Sequence, residues 1–199
     1  MSGDWQRGVV VAGPVTGMAR AVVLKLGGSL LTLPNWPDRI ADLVDDVRRT
    51  TPRLIVVVGG GPPVDGLRAI DAAAPQSAEL MDRLAIESLR LSATLVAASL
   101  SLPRSRAPGR AAPACVLDAA GWLSGAGRRH SLPVGWQVTS DSIAAAVATA
   151  NRADLLLAKR VPPPGPASDL ESLAAAGWVD EHFPTAARGL GGIGWAAPG

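Results

Sequence analysis

Ala21-Val22-Val23-Leu24-Lys25-Leu26-Gly27-Gly28-Ser29 and Leu54-Ile55-Val56-Val57-Val58-Gly59-Gly60-Gly61-Pro62-Pro63 decide the fold. Each is a short, nearly continuous apolar run that stops at glycine. Such runs suit strands buried on both faces, as in parallel sheets covered by helices. Between them Ile40, Leu43, Val44 and Val47 recur at helical spacing from Asp38 to about Arg49, behind Pro37 and Asp38, which favour a helix start.

The alternation continues along the chain. A short helix runs through Val64, Leu67 and Ile70, and a long one spans Ser77 to Leu100 with Leu80, Leu84, Leu91 and Leu95 as its buried stripe. Ala114–Leu117 is a strand, and Asp118 to Ser124 one or two helical turns. Thr139-Ser140-Asp141 opens a helix to about Asn151 with Ile143, Ala144, Val147 and Ala148 inward. Leu155–Leu157 is a strand leading to Lys159, and a last helix covers about Asp169 to Ala176. The fold class expected is α/β, a three-layer α/β/α sandwich with a mainly parallel central sheet. Residues 21–188 read as one domain, residues 1–20 as a disordered N-terminal extension with Met18 as an alternative start, and residues 189–199 as a loose glycine-rich tail.

Composition narrows the function. Apolar residues make up 48% of the 199, enough for a large core, and the net charge is only +2. Arg104, Arg106 and Arg110 lie in a proline-rich loop and Arg128 and Arg129 in a glycine-flanked one. No basic stripe interleaves with aromatics, so no nucleic-acid partner is expected. The apolar stretches are too short to span a membrane. The single Cys115 rules out an internal disulfide and fits a reducing, cytoplasmic setting.

Lysine is used twice only, at Lys25 and Lys159, each at the end of an apolar run. All other basic side chains, the two histidines aside, are arginine. Lysine is a compact ammonium on a flexible stem, suited to placing point charge between phosphate oxygens. Gly27-Gly28-Ser29 and Gly59-Gly60-Gly61 follow strands at the carboxyl edge of the sheet, where ligands of such folds sit. Glycine lets the backbone approach a ligand, and a following helix adds unpaired N–H groups and a positive dipole end. Two such loops, one beside a lysine, point to phosphate binding. The spacing is neither a Walker loop nor a dinucleotide fingerprint, whose last glycine is replaced by Val64. One cysteine with His130 and His182 makes no zinc spacing, so no metal ligands are assigned. Ser29 and Ser140 lack a hydrolase elbow. Asp141 has two readings: part of an N-cap cluster with Thr139 and Ser140, or the carboxylate that holds both lysines. Glu79, Asp82 and Glu87 read as a solvated helix face, or as partners for an amine. Trp136, close to Asp141, is placed to line a pocket.

Val23-Leu24-Lys25-Leu26-Gly27-Gly28-Ser29, Val57-Val58-Gly59-Gly60-Gly61, Thr139-Ser140-Asp141-Ser142-Ile143-Ala144 and Ala153–Lys159 together resemble the amino acid kinase family. The resemblance resumes weakly at Gly177-Trp178-Val179-Asp180. Trp136–Ala144 is similar to a small branch acting on (aminomethylfuryl)methyl phosphate in methanofuran biosynthesis. The resemblance implies an ATP-dependent small-molecule kinase, with Mg²⁺ arriving on ATP, and it is compatible with a homo-oligomer. It implies that Lys25 contacts the transferring phosphoryl group, Asp141 orients Lys25, and Lys159 lies beside the nucleotide. Gly27, Gly28, Gly60 and Gly61 would donate N–H groups to phosphates, with Ser29, Gly59, Thr139 and Ser140 completing the site. Relatives usually follow the second lysine with an Asp-Gly turn. Here Arg160-Val161-Pro162-Pro163-Pro164-Gly165 stands instead, and the nucleotide-binding half is expected to be short. That departure motivates the alternative of a non-catalytic phosphate-ligand binder.

Overall fold

A computed structural model describes residues 5–11, 21–108, 112–125, 132–165 and 169–199. The expectations for Met18, Arg110, Arg128, Arg129 and His130 lie outside these residues. In chain order the elements are β1 (Trp5–Val11), β2 (Val22–Leu26), a 3₁₀ turn (Gly28–Thr32), α1 (Trp36–Thr50), β3 (Leu54–Val58), α2 (Pro62–Ala73) and α3 (Ala78–Ser99). There follow β4 (Arg104–Ser105), β5 (Ala114–Leu117), α4 (Ala119–Leu123), α5 (Ser140–Asn151), β6 (Asp154–Ala158), α6 (Leu170–Ala175), α7 (Phe183–Ala186) and β7 (Ile193–Pro198).

Among the described residues the strands form one seven-stranded sheet in the order β1-β7-β6-β2-β3-β5-β4. β1 and β7 pair antiparallel, and the other neighbours pair parallel. Side chains alternate across a strand. Leu24, Leu26, Leu54, Val56 and Val58 therefore face one layer, where Ile40, Leu43, Val44 and Val47 of α1 and Ala93, Val96 and Ala97 of α3 cover them. Val23, Ile55, Val57, Leu155 and Leu157 face the other layer, against Ile143, Ala144, Val147 and Ala148 of α5. Odd numbering in β2 and β6 thus means the α5 side. Lys25 and Lys159 continue those two odd series.

Two expectations are corrected. In α3 the stripe Leu80, Leu84, Leu91, Leu95 is not the buried one: Leu84, Leu91 and Leu95 are 38%, 64% and 50% exposed. The sheet-facing side carries Met81, Ser88, Leu89, Ser92, Ala93, Val96 and Ala97 instead. Its small residues let the helix lie close to the sheet, and Ser92 Oγ donates to the Gly60 carbonyl at 3.0 Å. That carbonyl needs a partner in the dry interior, so a serine face serves where leucines would leave it unpaired.

The segments expected to lie outside the domain supply strands to it. Trp5–Val11 pairs with Ile193–Pro198, and β7 also pairs with β6. Ile193, Ala196 and Ala197 are buried, and the Trp195 ring occupies the space where a side chain at Gly8 would stand. The pairing of Gly8 with Trp195 lets this glycine-bearing end pack as a strand.

Candidate active site

β2 and β6 are parallel neighbours with Lys25 opposite Leu157. Lys159 therefore lies one pleat beyond Lys25 on the same face. α5 runs back under that face and begins at the carboxyl edge of the sheet, so the first turn of α5 meets both lysines. Lys25 Nζ lies 2.8 Å from Asp141 Oδ1 in a buried ion pair. Lys159 Nζ donates to Asp141 Oδ2 at 2.7 Å. Lys25 and Asp141 are each only 4% exposed. Burial alone would raise the Asp141 carboxyl, but Lys25 and Lys159 outweigh it and hold the group below its ordinary value of 3.8. Two ammonium groups share one carboxylate in a dry place.

Lys159 also donates to the Trp178 carbonyl at 2.5 Å, and its Nζ lies 5.1 Å from the Trp178 ring centroid. Burial and the neighbouring Lys25 charge lower its ammonium from 10.5 to about 8, while Asp141 and Asp180 oppose the fall.

The glycine loops stand against each other at the same edge. A Cβ on Gly28 would overlap the Gly61 backbone, and one on Gly59 would stand 2.6 Å from Gly28 N and 3.1 Å from Ser140 Oγ. Gly61 has φ of +59° and hands the chain to α2, which starts at Pro62. Gly27 N donates to the Ala158 carbonyl and Gly59 N to the Leu26 carbonyl, both at 2.8 Å. Gly27, expected to give its N–H to a ligand, thus uses it to tie β2 to β6. The loop glycines that line the adjoining cavity are Gly28, Gly59, Gly60 and Gly61.

A cavity of about 220 Å³ opens from these loops between α2, α3 and the segment before α5. Gly28, Ser29, Gly59, Gly60, Gly61, Thr139 and Ser140 line it; Gly27, Lys25, Asp141 and Lys159 do not. The centre of charge thus lies beside the cavity rather than in its wall. Val64, Ile86, Leu89, Leu132 and Ile143 make much of the cavity apolar. Trp136 lines it as the sequence suggested. Its Nε1 donates to Asp71 at 2.7 Å, which with the Gln76 N–H holds the Asp71 carboxyl below its usual range. Arg68 stacks its guanidinium 5.1 Å from the Trp136 ring centroid. Asp82 lines the cavity and accepts from Gly135 N at 3.4 Å, whereas Glu87 pairs with Arg90 on the outer face.

Arg68 and Asp71 were not legible as site residues, since one exposed arginine and one helix aspartate look like any solvated face. Asp180 was missed for a different reason. It lies about forty residues from the helix end that it binds: Thr139 N and Oγ1 donate to it at 2.9 and 2.7 Å, and Ser142 N and Oγ at 3.0 and 2.5 Å. Both readings of Asp141 hold together, because the Thr139 hydroxyl also accepts from Asp141 N at 3.3 Å. Among the described residues no group of three or more His, Cys, Asp or Glu side chains gathers as a metal site. No described helix is long and apolar enough to cross a membrane.

A family model described as the amino acid kinase family matches residues 20–132, which include Lys25 and both glycine loops but stop short of Asp141 and Lys159. Among solved structures, uridylate kinase from Archaeoglobus fulgidus is similar with a TM-score of 0.60 at 19% identity, covering 89% of each chain. UMP kinase from Ureaplasma parvum follows with 0.59 at 14% identity, covering 84% of this chain and 83% of that one. Aspartate kinase from Synechocystis gives 0.59 at 19% identity, covering 89% of this chain and 40% of that one. At such identities the likeness is one of fold. No curated protein sequence matches.

Proposed function

The chain belongs to the amino acid kinase family, and on that premise we propose that it transfers the γ-phosphoryl group of ATP to a small acceptor held in the cavity. The reading is carried by one observation: Lys25 and Lys159 meet on Asp141 beside two glycine loops whose backbones touch. Phosphoryl transfer needs in-line alignment and neutralisation of spreading negative charge, with little covalent help. Lys25, held on a strand end and aimed by Asp141, supplies charge at the transferring group. The Gly28, Gly60 and Gly61 backbone, with the hydroxyls of Ser29, Thr139 and Ser140, would cradle phosphate oxygens. Lys159 adds charge on the nucleotide side. Mg²⁺ would travel on ATP, since the carboxylate at the centre is already taken by two lysines.

The acceptor is a small molecule with an apolar body and an anionic end, for which a furan-methyl phosphate of methanofuran-type biosynthesis is the specific candidate. The apolar wall and flat Trp136 suit a ring, and Arg68 stands at hand for the anion. The cavity is smaller than the roughly 300–1,000 Å³ common for ligand sites, which favours a compact acceptor.

A second reading, a phosphate-ligand binder without catalysis, is favoured by the far side of Lys159. There the Val161 carbonyl accepts from Trp178 Nε1 at 3.2 Å, and the Lys159 ammonium is turned inward to Asp141 and Trp178. Calorimetric titration with MgATP, then a phosphorylation screen of small alcohols and phosphomonoesters, separates the two. Kinase function expects ATP binding and turnover that Lys25→Ala reduces about 100- to 1,000-fold or more. Full activity in Lys25→Ala would sink the assigned role, and binding of a phosphomonoester with no ATP affinity would support the second reading.

A further inference from the structure

Asp180 belongs to none of the elements that carry the lysines or the glycine loops, yet its carboxylate holds the start of α5. Four donors from Thr139 and Ser142 converge on it at 2.5–3.0 Å. One is the Ser142 N–H of the first turn, which an N-cap residue ordinarily satisfies from within its own turn, and another is the N–H of the cap residue Thr139 itself. The helix's own cap, Thr139 Oγ1, makes only a 3.3 Å contact with Asp141 N and is itself a donor to Asp180. Asp141 sits between the two clamped residues.

The same short segment reaches the other side of the charged centre. Two residues before Asp180, the Trp178 carbonyl receives Lys159 and the Trp178 ring lies beneath its ammonium. Val179 and Phe183 are 3% and 0% exposed, so the core fixes this segment from both sides of Asp180. One stretch of chain therefore sets both partners of the Lys159–Asp141 contact.

We propose that Asp180 is a positioning residue, which fixes Asp141 between Lys25 and Lys159 by clamping the first turn of α5. Its importance for turnover rests on the phosphoryl-transfer reading given above; its structural action does not. The clamp also places a second negative charge near Lys159. The charged groups facing that ammonium are Lys25 from β2, Asp141 from α5 and Asp180 from the segment after α6. Lys25 discharges Lys159, and the two carboxylates keep it protonated. Loss of Asp180 removes one carboxylate and loosens the other.

Only two lysines exist in the chain, so full-length protein labelled with ¹³C at lysine gives two side-chain resonances. Lys159→Arg assigns them. Their pH titration needs no substrate, so its outcome is separate from the success or failure of the kinase assay. Asp180→Asn keeps the shape and removes the charge; the Lys159 midpoint should fall, with proton affinity reduced about threefold or more, roughly half a pH step. Ser142→Ala deletes one bond and no charge, and serves as a second variant should Asp180→Asn fold poorly. It should move both lysine resonances as α5 resets. Glu171→Gln, on exposed α6, should move neither. If Asp180→Asn or Ser142→Ala folds and leaves both midpoints and both resonances at their original values, the proposal is overturned. Where an acceptor is found, the alkaline limb of kcat/KM should shift in Asp180→Asn by the same amount as the midpoint, which a purely structural role would not produce.

Discussion

Gly28 and Gly61 meet backbone to backbone, so closely that a single added carbon on Gly28 would overlap the Gly61 amide. Gly28→Ala must therefore push the two loops apart. Overpacking of this kind costs about 1–3 kcal/mol, and the displaced amides should cost phosphate affinity as well. Denaturant unfolding and calorimetry with MgATP read the two effects. Gly66 in α2 is the control: it is exposed, and nothing lies within 4 Å of where its Cβ would be. Gly66→Ala should stabilise by about 0.5–1 kcal/mol with binding unchanged.

Asp141→Asn tests the shared carboxylate. Breaking a buried pair on one side leaves its partners charged and dry, at a cost of about 3–5 kcal/mol. Here two ammonium groups lose their counter-ion together, so urea unfolding should show a loss at the upper end of that range. The Lys159 midpoint should also fall below about 8, because Asp141 opposes its discharge. A variant as stable as the parent would mean the centre is not dry.

Activity should fall as pH rises through about 8, where free Lys159 loses its proton. The limb belongs in kcat/KM, which reports the free enzyme. Stability moves the other way over that window. Between about 8 and the ordinary 10.5 the unfolded chain binds more protons at this site than the folded one, so the Lys159 contribution to unfolding free energy rises with pH. Asp141 acts at the acid end. Its folded value is depressed below 3.8, so its stabilisation is full above that pH and is lost as pH falls through the lower, folded value. Thermal melts at pH 3 to 10 with a parallel rate profile check both signs.

Arg68→Gln should weaken an anionic acceptor while sparing ATP. A hydrogen bond to a charged group contributes about 1.5–3 kcal/mol, which corresponds to a rise in acceptor KM of roughly tenfold to a hundredfold. The companion change Trp136→Leu removes the surface on which Arg68 rests and should raise KM in the same direction. An unchanged KM in both would place the acceptor elsewhere.

The strand ends and glycine loops were legible because their signals are local. A run such as Leu54–Val58 followed by three glycines says strand and turn within ten residues. The convergence of Lys25 and Lys159 was also recoverable, since both continue an odd-numbered buried series on parallel strands. The face of α3 was not. Leucine and serine stripes coexist on that helix, and the choice between them is set by a carbonyl at Gly60 that needs a donor. Trp5–Val11 and Ile193–Pro198 were unreadable for a related reason. Neither is apolar enough alone, and each becomes a strand because the other lies beside it. Asp180 and Arg68 act through partners distant in sequence, which no spacing rule reaches.

β7 is the last of the described strands in sequence order but lies inside the sheet, hydrogen-bonded to β6 on one side and β1 on the other. Lys159 N itself donates to the Ala196 carbonyl at 2.9 Å. On the ribosome, then, β6 lacks its outer neighbour until residues 193–198 clear the exit tunnel, and the nascent strand end bearing the second lysine stays unpaired until then. Slower synthesis of the residues between β6 and β7 should therefore prolong the exposure of this edge of the sheet.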